Sequence, residues 1–278
     1  MKREPAKRVG MFFLFLLLAL TFSCVTPIGD AGEGTVKAAS STIKTVSGGK
    51  WKTKSKKVYY MNSKGKKTKG LVEINGKNYY FDSKGVQRTG WQKIKGDYYY
   101  FKIATGKKGY MVKNKKVNSV KLKKNGKAST SGNAKTRLKV LVKANQVVEK
   151  ATKPTMTKKE KLKAIWDYML KKYRYSGSPT FKKGSHWDQT YALDFFNKKH
   201  GNCYAFGAAF AYLGNACGYT SCYAISSGGH GWAEINGKVY DPTWALQDKK
   251  HNYYGRSYDS KASGVPNYKK SRYYVKKI

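Results

Sequence analysis

The chain has 278 residues, with 57 Lys and Arg against 15 Asp and Glu, so its formal net charge is +42. Seven of the 57 basic residues are arginines and fifty are lysines. Because base-edge readout favours the planar fork of arginine, this excess argues against a sequence-specific nucleic-acid binder and favours diffuse attraction to a polyanion. A solvated surface in a lysine-rich organism would give the same composition. Four scattered histidines and no Cys-x-x-Cys pair argue against a zinc site, so we expect no metal and no cofactor.

The N-terminus has the layout of a secretory signal peptide. Basic residues within the first eight positions precede an apolar run over 11–20, and a small-residue site follows at 36–38. The run is short for a membrane span of about 20 residues. We therefore expect removal of residues 1–38 and a secreted protein, whose nearest polyanions are cell-wall polymers, anionic lipid surfaces and extracellular nucleic acid. The alternatives are an uncleaved membrane anchor and a lipid anchor on Cys24.

A twenty-residue period follows. Tyr-Tyr-Met at 59–61 returns as Tyr-Tyr-Phe at 79–81 and again at 99–101. A period this short predicts an array of β-hairpins that bury their faces by stacking on one another.

Two segments of this array, GLVEINGKNYYFDSKGVQRTG (70–90) and GWQKIKGDYYYF (90–101), resemble the cell-wall-binding, or choline-binding, repeats of secreted Gram-positive proteins. In that family, aromatic rings of successive hairpins cage a quaternary ammonium. By position, Trp91, Tyr98 and Tyr100 match the cage, although two other expected aromatic positions are not aromatic. The resemblance implies either a ligand-binding array or a β-hairpin spacer that presents lysines to an anionic wall.

Helical periodicity begins beyond the repeats. Apolar residues between 138 and 148 have helical spacing, and Thr157 with Glu160 forms the capping-box pattern of a second helix. A short helix is predicted at 191–197 and strands are predicted over 220–275.

Cys203 opens a stretch of small and apolar residues, predicted as a buried helix over 203–218, directly after the turn signal Gly201-Asn202. A helix N-terminus favours an anion, and the thiolate is the nucleophilic form of cysteine. The alternative is a buried structural cysteine. Cys217 and Cys222 either form a short disulfide or are buried thiols.

The segment HGWAEINGKVYDPTWAL (230–246) predicts a β-hairpin around the type I′ turn signal Asn236-Gly237. Alternation places His230, Trp232 and Asp241 on one face, with the imidazole and the carboxylate as diagonal neighbours. A cysteine at a helix start, a histidine and an orienting acid are the three roles of a nucleophilic triad.

The segments GNCYAFGAAFAYLGNACGY (201–219) and HGWAEINGKVYDPTW (230–244) resemble the transglutaminase-like superfamily of papain-type cysteine enzymes. By that resemblance Cys203, His230 and Asp241 match nucleophile, base and orienting acid. The implied fold is α+β, a catalytic domain with helices packed on an antiparallel sheet, preceded by the β-hairpin repeat module. The implied chemistry is acyl transfer from an amide. The Cys203 backbone N–H would hold the oxyanion, with Tyr175 and Trp187 as candidates for the second donor.

We therefore expect a secreted, cell-wall-associated enzyme that acts on peptide or side-chain amides. Hydrolysis is favoured over cross-linking, because a cross-linker carrying fifty lysines and five glutamines would react with itself. The alternatives are a non-catalytic wall-binding or adhesion protein on the same scaffold and a polyanion-binding protein whose function is its charge. The expected organisation is a signal peptide at 1–38, a linker at 39–49, repeats at 50–125, a linker at 126–136 and the transglutaminase-like domain at 137–278.

Overall fold

The computed structural model describes residues 43–103, 109–178 and 180–278, which belong to one compact unit, Thr42–Ile278. The signal peptide expected at 1–38 lies outside the described residues. Within them, five α-helices and a five-stranded antiparallel sheet confirm the predicted α+β class. None of the helices in this described part is long and apolar enough to cross a membrane.

The twenty-residue repeats fold into β-hairpins. Three hairpins are built from five-residue strands, and shorter strands lie between and around them. The strands pair antiparallel, except that the first strand pairs parallel with the fourth. The strands are β1 (Lys44–Thr45), β2 (Lys50–Lys54), β3 (Lys57–Met61), β4 (Gly70–Ile74), β5 (Lys77–Phe81), β6 (Gln87–Arg88), β7 (Gly90–Ile94), β8 (Asp97–Phe101), β9 (Lys116–Val117) and β10 (Val120–Lys121).

Five helices follow the hairpins. The capping box predicted from Thr157 and Glu160 is present, with each side chain accepting a backbone N–H of the other residue. The first helix begins at Ala134, inside the segment 126–136 that is predicted to be a linker. The helices are α1 (Ala134–Ala151), α2 (Lys158–Lys172), α3 (Trp187–Lys198), α4 (Cys203–Ala216) and α5 (Pro242–Gln247).

The C-terminal sheet has the strand order β16-β15-β14-β13-β17. Its central hairpin has the predicted register, with Ile235 opposite Lys238 and Glu234 opposite Val239. Asn236 and Gly237 have φ values of 49° and 70°, as a type I′ turn requires. The strands are β13 (Cys222–Ser226), β14 (Gly231–Ile235), β15 (Lys238–Tyr240), β16 (Tyr254–Arg256) and β17 (Tyr274–Lys277), and a separate parallel pair is formed by β11 (Arg174–Tyr175) and β12 (His200–Gly201).

The prediction of strands over 220–275 is wrong at residues 242–247, which form α5. Asp241 caps the N-terminus of α5 instead of continuing β15, and Pro242 is the first residue of that helix. Proline is well suited to the first helical position, because the N–H that it lacks has no intrahelical partner there. The hairpin strand therefore stops at Tyr240.

The main core surrounds α4, in which every residue from Cys203 to Gly214 is buried. This helix packs against α1 and α3 and against strands β13 and β14. A helix that is apolar all round is expected to be covered on all sides. Cys203 lies at the N-terminus of this central helix.

Candidate active site

Cys203 is the first residue of α4 and is 3% exposed. The side chain of Asn202 caps the helix by accepting a hydrogen bond from the Ala205 N–H at 3.2 Å. The Cys203 N–H is one of the first backbone donors of the helix, which have no intrahelical acceptor. A sulfur atom here lies at the positive end of the helix dipole.

A glycine one turn along the helix brings α4 unusually close to β14. Gly207 lies on the same helix face as Cys203, and a Cβ atom added to it would be 2.6 Å from the backbone N of Trp232. A Cβ atom on Gly231 would likewise be 2.8 Å from the Cα of Tyr204. These two glycines allow backbone-to-backbone approach, which brings His230 at the start of β14 toward Cys203.

His230 and Asp241 are joined directly, as the hairpin pattern predicts. His230 Nε2 lies 2.5 Å from Asp241 Oδ2, and the side chains are 23% and 0% exposed. The other carboxylate oxygen, Oδ1, accepts hydrogen bonds from the Thr243 hydroxyl at 2.8 Å and from the N–H groups of Thr243 and Trp244. The helix start of α5 therefore fixes the carboxylate that holds His230.

The environment of His230 favours the imidazolium. Burial alone would lower the pKa of His230, but the negative charge of Asp241, its hydrogen bond and the neighbouring Cys203 outweigh burial and raise the pKa from 6.5 to about 10. Since Nε2 is occupied by Asp241, Nδ1 is the ring nitrogen left for the thiol. The arrangement can take a proton from sulfur and keep the resulting positive charge.

Cys217 and Cys222 are free, buried thiols, so the structure has no disulfide between them. Burial raises the pKa of Cys217 to about 12 and also raises the pKa of Cys222. Desolvation disfavours the thiolate form at both positions. Neither is suited to act as a nucleophile at neutral pH.

The two candidates for the second oxyanion donor lie in different surroundings. Tyr175 is opposite Gly201 in the β11–β12 pair and is 40% exposed. Burial and then the charge of Cys203 raise its pKa, so this phenol lies near the thiol. Trp187 is buried against Phe181, and its Nε1 has no hydrogen-bond partner among the described residues.

The repeat residues predicted to form an aromatic cage are packed against protein. Trp91 and Tyr98 are 3% and 6% exposed and belong to the main core. The Trp91 indole N–H donates to the Asn118 side chain at 2.8 Å, and Asn118 in turn donates to Asn215 of α4 at 3.1 Å. Tyr100 lies against Trp91 with ring centroids 5.3 Å apart. These rings connect the repeats to the helical domain.

One contact has no counterpart in the sequence patterns. The hydroxyl of Tyr268 donates to Asp241 Oδ2 at 2.9 Å. Tyr268 lies in a C-terminal segment without repeat, motif or periodicity, so no pattern in the sequence predicts its position. Among the described residues no group of three or more His, Cys, Asp or Glu side chains could hold a metal ion.

Comparisons with known proteins match two parts of the chain. Residues 68–115 match the family model of the choline-binding repeat, and residues 144–248 match that of the transglutaminase-like superfamily. A search of curated proteins found no match.

Similar solved structures include three choline-binding proteins. They are the choline-binding domain of Spr1274 from Streptococcus pneumoniae (28% identity), choline-binding protein F from Streptococcus pneumoniae in the presence of a peptidoglycan analogue (30%), and the pneumococcal cell-wall endolysin of phage Cp-1 complexed with choline (31%). The matches cover 28%, 29% and 30% of this chain and 92%, 27% and 25% of those chains. Each has a TM-score of 0.26, too low for a comparison of overall folds.

The chain therefore carries a choline-binding repeat region followed by a domain of the transglutaminase-like superfamily. This combination supports a cell-wall-associated enzyme of that superfamily.

Proposed function

We propose that the protein is a secreted cysteine enzyme that attacks peptide or side-chain amides of the cell wall through Cys203, His230 and Asp241. The observation that carries this proposal is the convergence of a helix-start cysteine and a buried His–Asp pair at the place where Gly207 lets α4 and β14 touch. A nucleophile, a base and an acid that orients the base are the three roles that this chemistry needs.

In the first step Cys203 transfers its proton to His230 Nδ1, and the sulfur attacks the amide carbonyl carbon. The tetrahedral oxyanion is held by the Cys203 N–H and by a second donor. We favour the Tyr175 hydroxyl over Trp187, because Tyr175 pairs with Gly201, two residues before Cys203, whereas Trp187 is buried against Phe181. Collapse of the intermediate breaks the C–N bond, and His230 returns the proton to the leaving amine. Asp241 holds the ring in one orientation throughout.

In the second step an acyl acceptor resolves the thioester. Water gives hydrolysis and a primary amine gives a new amide, and the same three side chains serve both outcomes. We propose hydrolysis as the main outcome, because the protein carries fifty lysines as potential acceptors. An efficient cross-linker would have to keep the lysines of its own surface from acting as acceptors.

The test uses the purified protein, wall-derived peptides, glutamine-containing peptides and a labelled primary amine. Cleavage that is absent from the Cys203→Ala variant supports the proposal. Incorporation of the amine without cleavage would show that the protein cross-links amides instead of hydrolysing them. Neither reaction over a broad peptide set would favour a non-catalytic wall-binding protein.

Wall attachment is proposed to depend on charge. Residues 43–72 contain ten lysines and no Asp or Glu. In β2 the lysines at 50, 52 and 54 are exposed, whereas Trp51 between them packs on Tyr60 and Tyr79. Because these aromatic rings pack against one another and the lysine ammonium groups face solvent, the partner that best fits the β2 surface is an anionic wall polymer.

A further inference from the structure

The carboxylate of Asp241 is enclosed by hydrogen-bond donors from two directions. Its Oδ1 atom accepts hydrogen bonds from Thr243 and Trp244, which belong to the helix that Asp241 caps. Its Oδ2 atom is shared by His230 Nε2 at 2.5 Å and the Tyr268 hydroxyl at 2.9 Å. Since a carboxylate can only accept, the tyrosine is the donor.

The position of Tyr268 is fixed by a separate small core. Its ring lies 5.1 Å from the Trp232 ring in an edge-to-face arrangement and packs with Ile225 and Val239. Trp232 in turn lies nearly parallel to His230, with centroids 6.2 Å apart. Tyr268 therefore reaches Asp241 from a packed, 3% exposed position rather than from a mobile loop.

Tyr268 lies outside the family resemblance. The transglutaminase-like match ends at residue 248, twenty residues earlier in the chain. We propose that Tyr268 is a positioning residue: its hydroxyl holds the ionised Asp241 carboxylate in the orientation that keeps His230 turned toward Cys203. The inference rests on the function proposed for Cys203, His230 and Asp241.

The surroundings keep the phenol protonated, as a donor must be. Burial, the charge of Asp241 and its hydrogen bond raise the pKa of Tyr268, and Tyr253 adds to this effect while Arg256 opposes it. The titratable or charged groups facing the Asp241–Tyr268 contact are thus His230, Tyr253 and Arg256.

Loss of the Tyr268 hydroxyl should change the pH at which protonation inactivates the site. Without the Tyr268 hydroxyl, Oδ2 of the fully buried Asp241 side chain has lost a donor, so negative charge there is less stabilised. The site then takes up its inactivating proton at a higher pH. A hydrogen bond to a charged group corresponds to a shift of about one pH unit.

The experiment measures the alkylation rate of Cys203 by iodoacetamide across pH in the full chain, with the adduct located by peptide mass spectrometry. We expect Tyr268→Phe to move the acidic limb of the profile up by about one pH unit, with roughly tenfold slower alkylation on that limb. The matched control is Tyr212→Phe, which removes another buried tyrosine–aspartate hydrogen bond, 2.8 Å to Asp188, and should leave the limb in place. A wild-type profile in Tyr268→Phe would overturn the inference.

Folding is checked in the same samples, because Cys217 and Cys222 stay unlabelled only while the core is intact. If Tyr268→Phe does not fold, 3-fluorotyrosine introduced at position 268 provides the second test. Its more acidic hydroxyl is a stronger donor, so the limb should move to lower pH, and an unmoved limb would overturn the inference. If wild-type Cys203 is labelled no faster than Cys217, the proposed function itself fails. If Cys203 is fast and depends on His230 but ignores Tyr268, only this inference fails.

Discussion

Folding raises the pKa of His230, so the folded protein binds a proton at this residue more tightly than the unfolded chain does. Its burial opposes this, and the outcome is decided by the carboxylate 2.5 Å away. A group whose pKa is raised by folding stabilises the native state most at pH values below its unfolded pKa. The charge state of one histidine therefore links the candidate site to the stability of the fold.

This linkage gives a prediction with a definite sign. The contribution of His230 should be fully present below pH 6.5 and should be lost as the pH rises toward about 10. We expect the difference in unfolding free energy between wild type and His230→Gln to shrink from pH 6 to pH 9.5, as measured by urea unfolding. A difference that stays constant over this range would show that His230 has no raised pKa.

The residues of the site differ in how far the sequence predicts them. Cys203, His230 and Asp241 are predicted as site residues because a turn before a small-residue helix and an Asn-Gly hairpin determine their local structure. Tyr268 is not found, since its contact with Asp241 spans 27 positions and depends on how a non-repetitive segment packs over β14. Local patterns carry no information on such a contact.

At the scale of elements, the approach of α4 to β14 determines whether Cys203 and His230 meet. Two glycines of α4, one heptad apart, face this strand, and they differ in what surrounds them. A Cβ on Gly207 would meet the Trp232 backbone at 2.6 Å, whereas a Cβ on Gly214 would meet the end of the Ile235 side chain at 2.4 Å. The end of a side chain can move away from an added methyl group, whereas the backbone of a strand cannot.

We therefore expect Gly207→Ala to separate helix and strand and to slow Cys203 alkylation by at least about tenfold, because a displacement of about 1 Å can cost far more than that in a catalytic site. Gly214→Ala is the matched control and should keep most of the wild-type rate. Both variants would be compared by labelling rate and by thermal unfolding. Equal rates in the two variants would contradict this account of the helix–strand contact.

The elements also show where local patterns stop being sufficient. The helix after Cys203 and the hairpin around Asn236-Gly237 are predicted because their signals lie within a few residues. The helix α5 is not predicted, because Tyr-Asp-Pro-Thr-Trp continues an alternating strand pattern. The chain turns into a helix there because the Asp241 side chain satisfies the first free N–H groups.

At the scale of the whole molecule, the third hairpin shares a core with the helical domain. Gly90 lies so close to α1 that a Cβ added to it would be 2.1 Å from the Asn145 side-chain oxygen. Gln92 donates to Glu149 at 2.7 Å, and burial raises the pKa of that glutamate. The sequence predicts the rings of Trp91, Tyr98 and Tyr100 in this hairpin but not their partner, because the same alternation presents a ring to a ligand or to a helix.

Loss of a core ring from the repeats should therefore destabilise the helical domain as well. We expect Trp91→Ala to lower the unfolding free energy by about 3–5 kcal/mol and to speed the labelling of Cys217. Trp51→Ala is the control, since Trp51 belongs to the separate core of the first hairpins, and it should leave Cys217 protected. Unchanged protection in Trp91→Ala would show that the two parts are energetically independent.

At the same scale, the distribution of charge predicts which lysines the proposed wall binding depends on. Replacing three lysines of β2 with Gln should reduce retention on isolated Gram-positive walls more than replacing three exposed lysines of α1 and α2, and raising salt from 0.1 M to 1 M should abolish the difference. Pull-down at each salt concentration measures this, and equal losses would indicate diffuse charge over the whole molecule. The variants carry Gln at Lys50, Lys52 and Lys54 in one case and at Lys139, Lys171 and Lys172 in the other.

The central claim is that His230 and Asp241 activate Cys203 as a nucleophile, and its most direct test needs no knowledge of the substrate. Native protein is treated with iodoacetamide at pH 6, and the thiols of Cys203, Cys217 and Cys222 are compared by peptide mass spectrometry in wild type and in Asp241→Asn. We expect Cys203 alone to react in wild type, since burial raises the pKa of Cys217 to about 12 and that of Cys222 as well. Asp241→Asn should keep the fold, because an amide oxygen can still cap α5, and should lose most of the labelling rate. Labelling of Cys203 no faster than of Cys217, or a rate unchanged in Asp241→Asn, would contradict the claim.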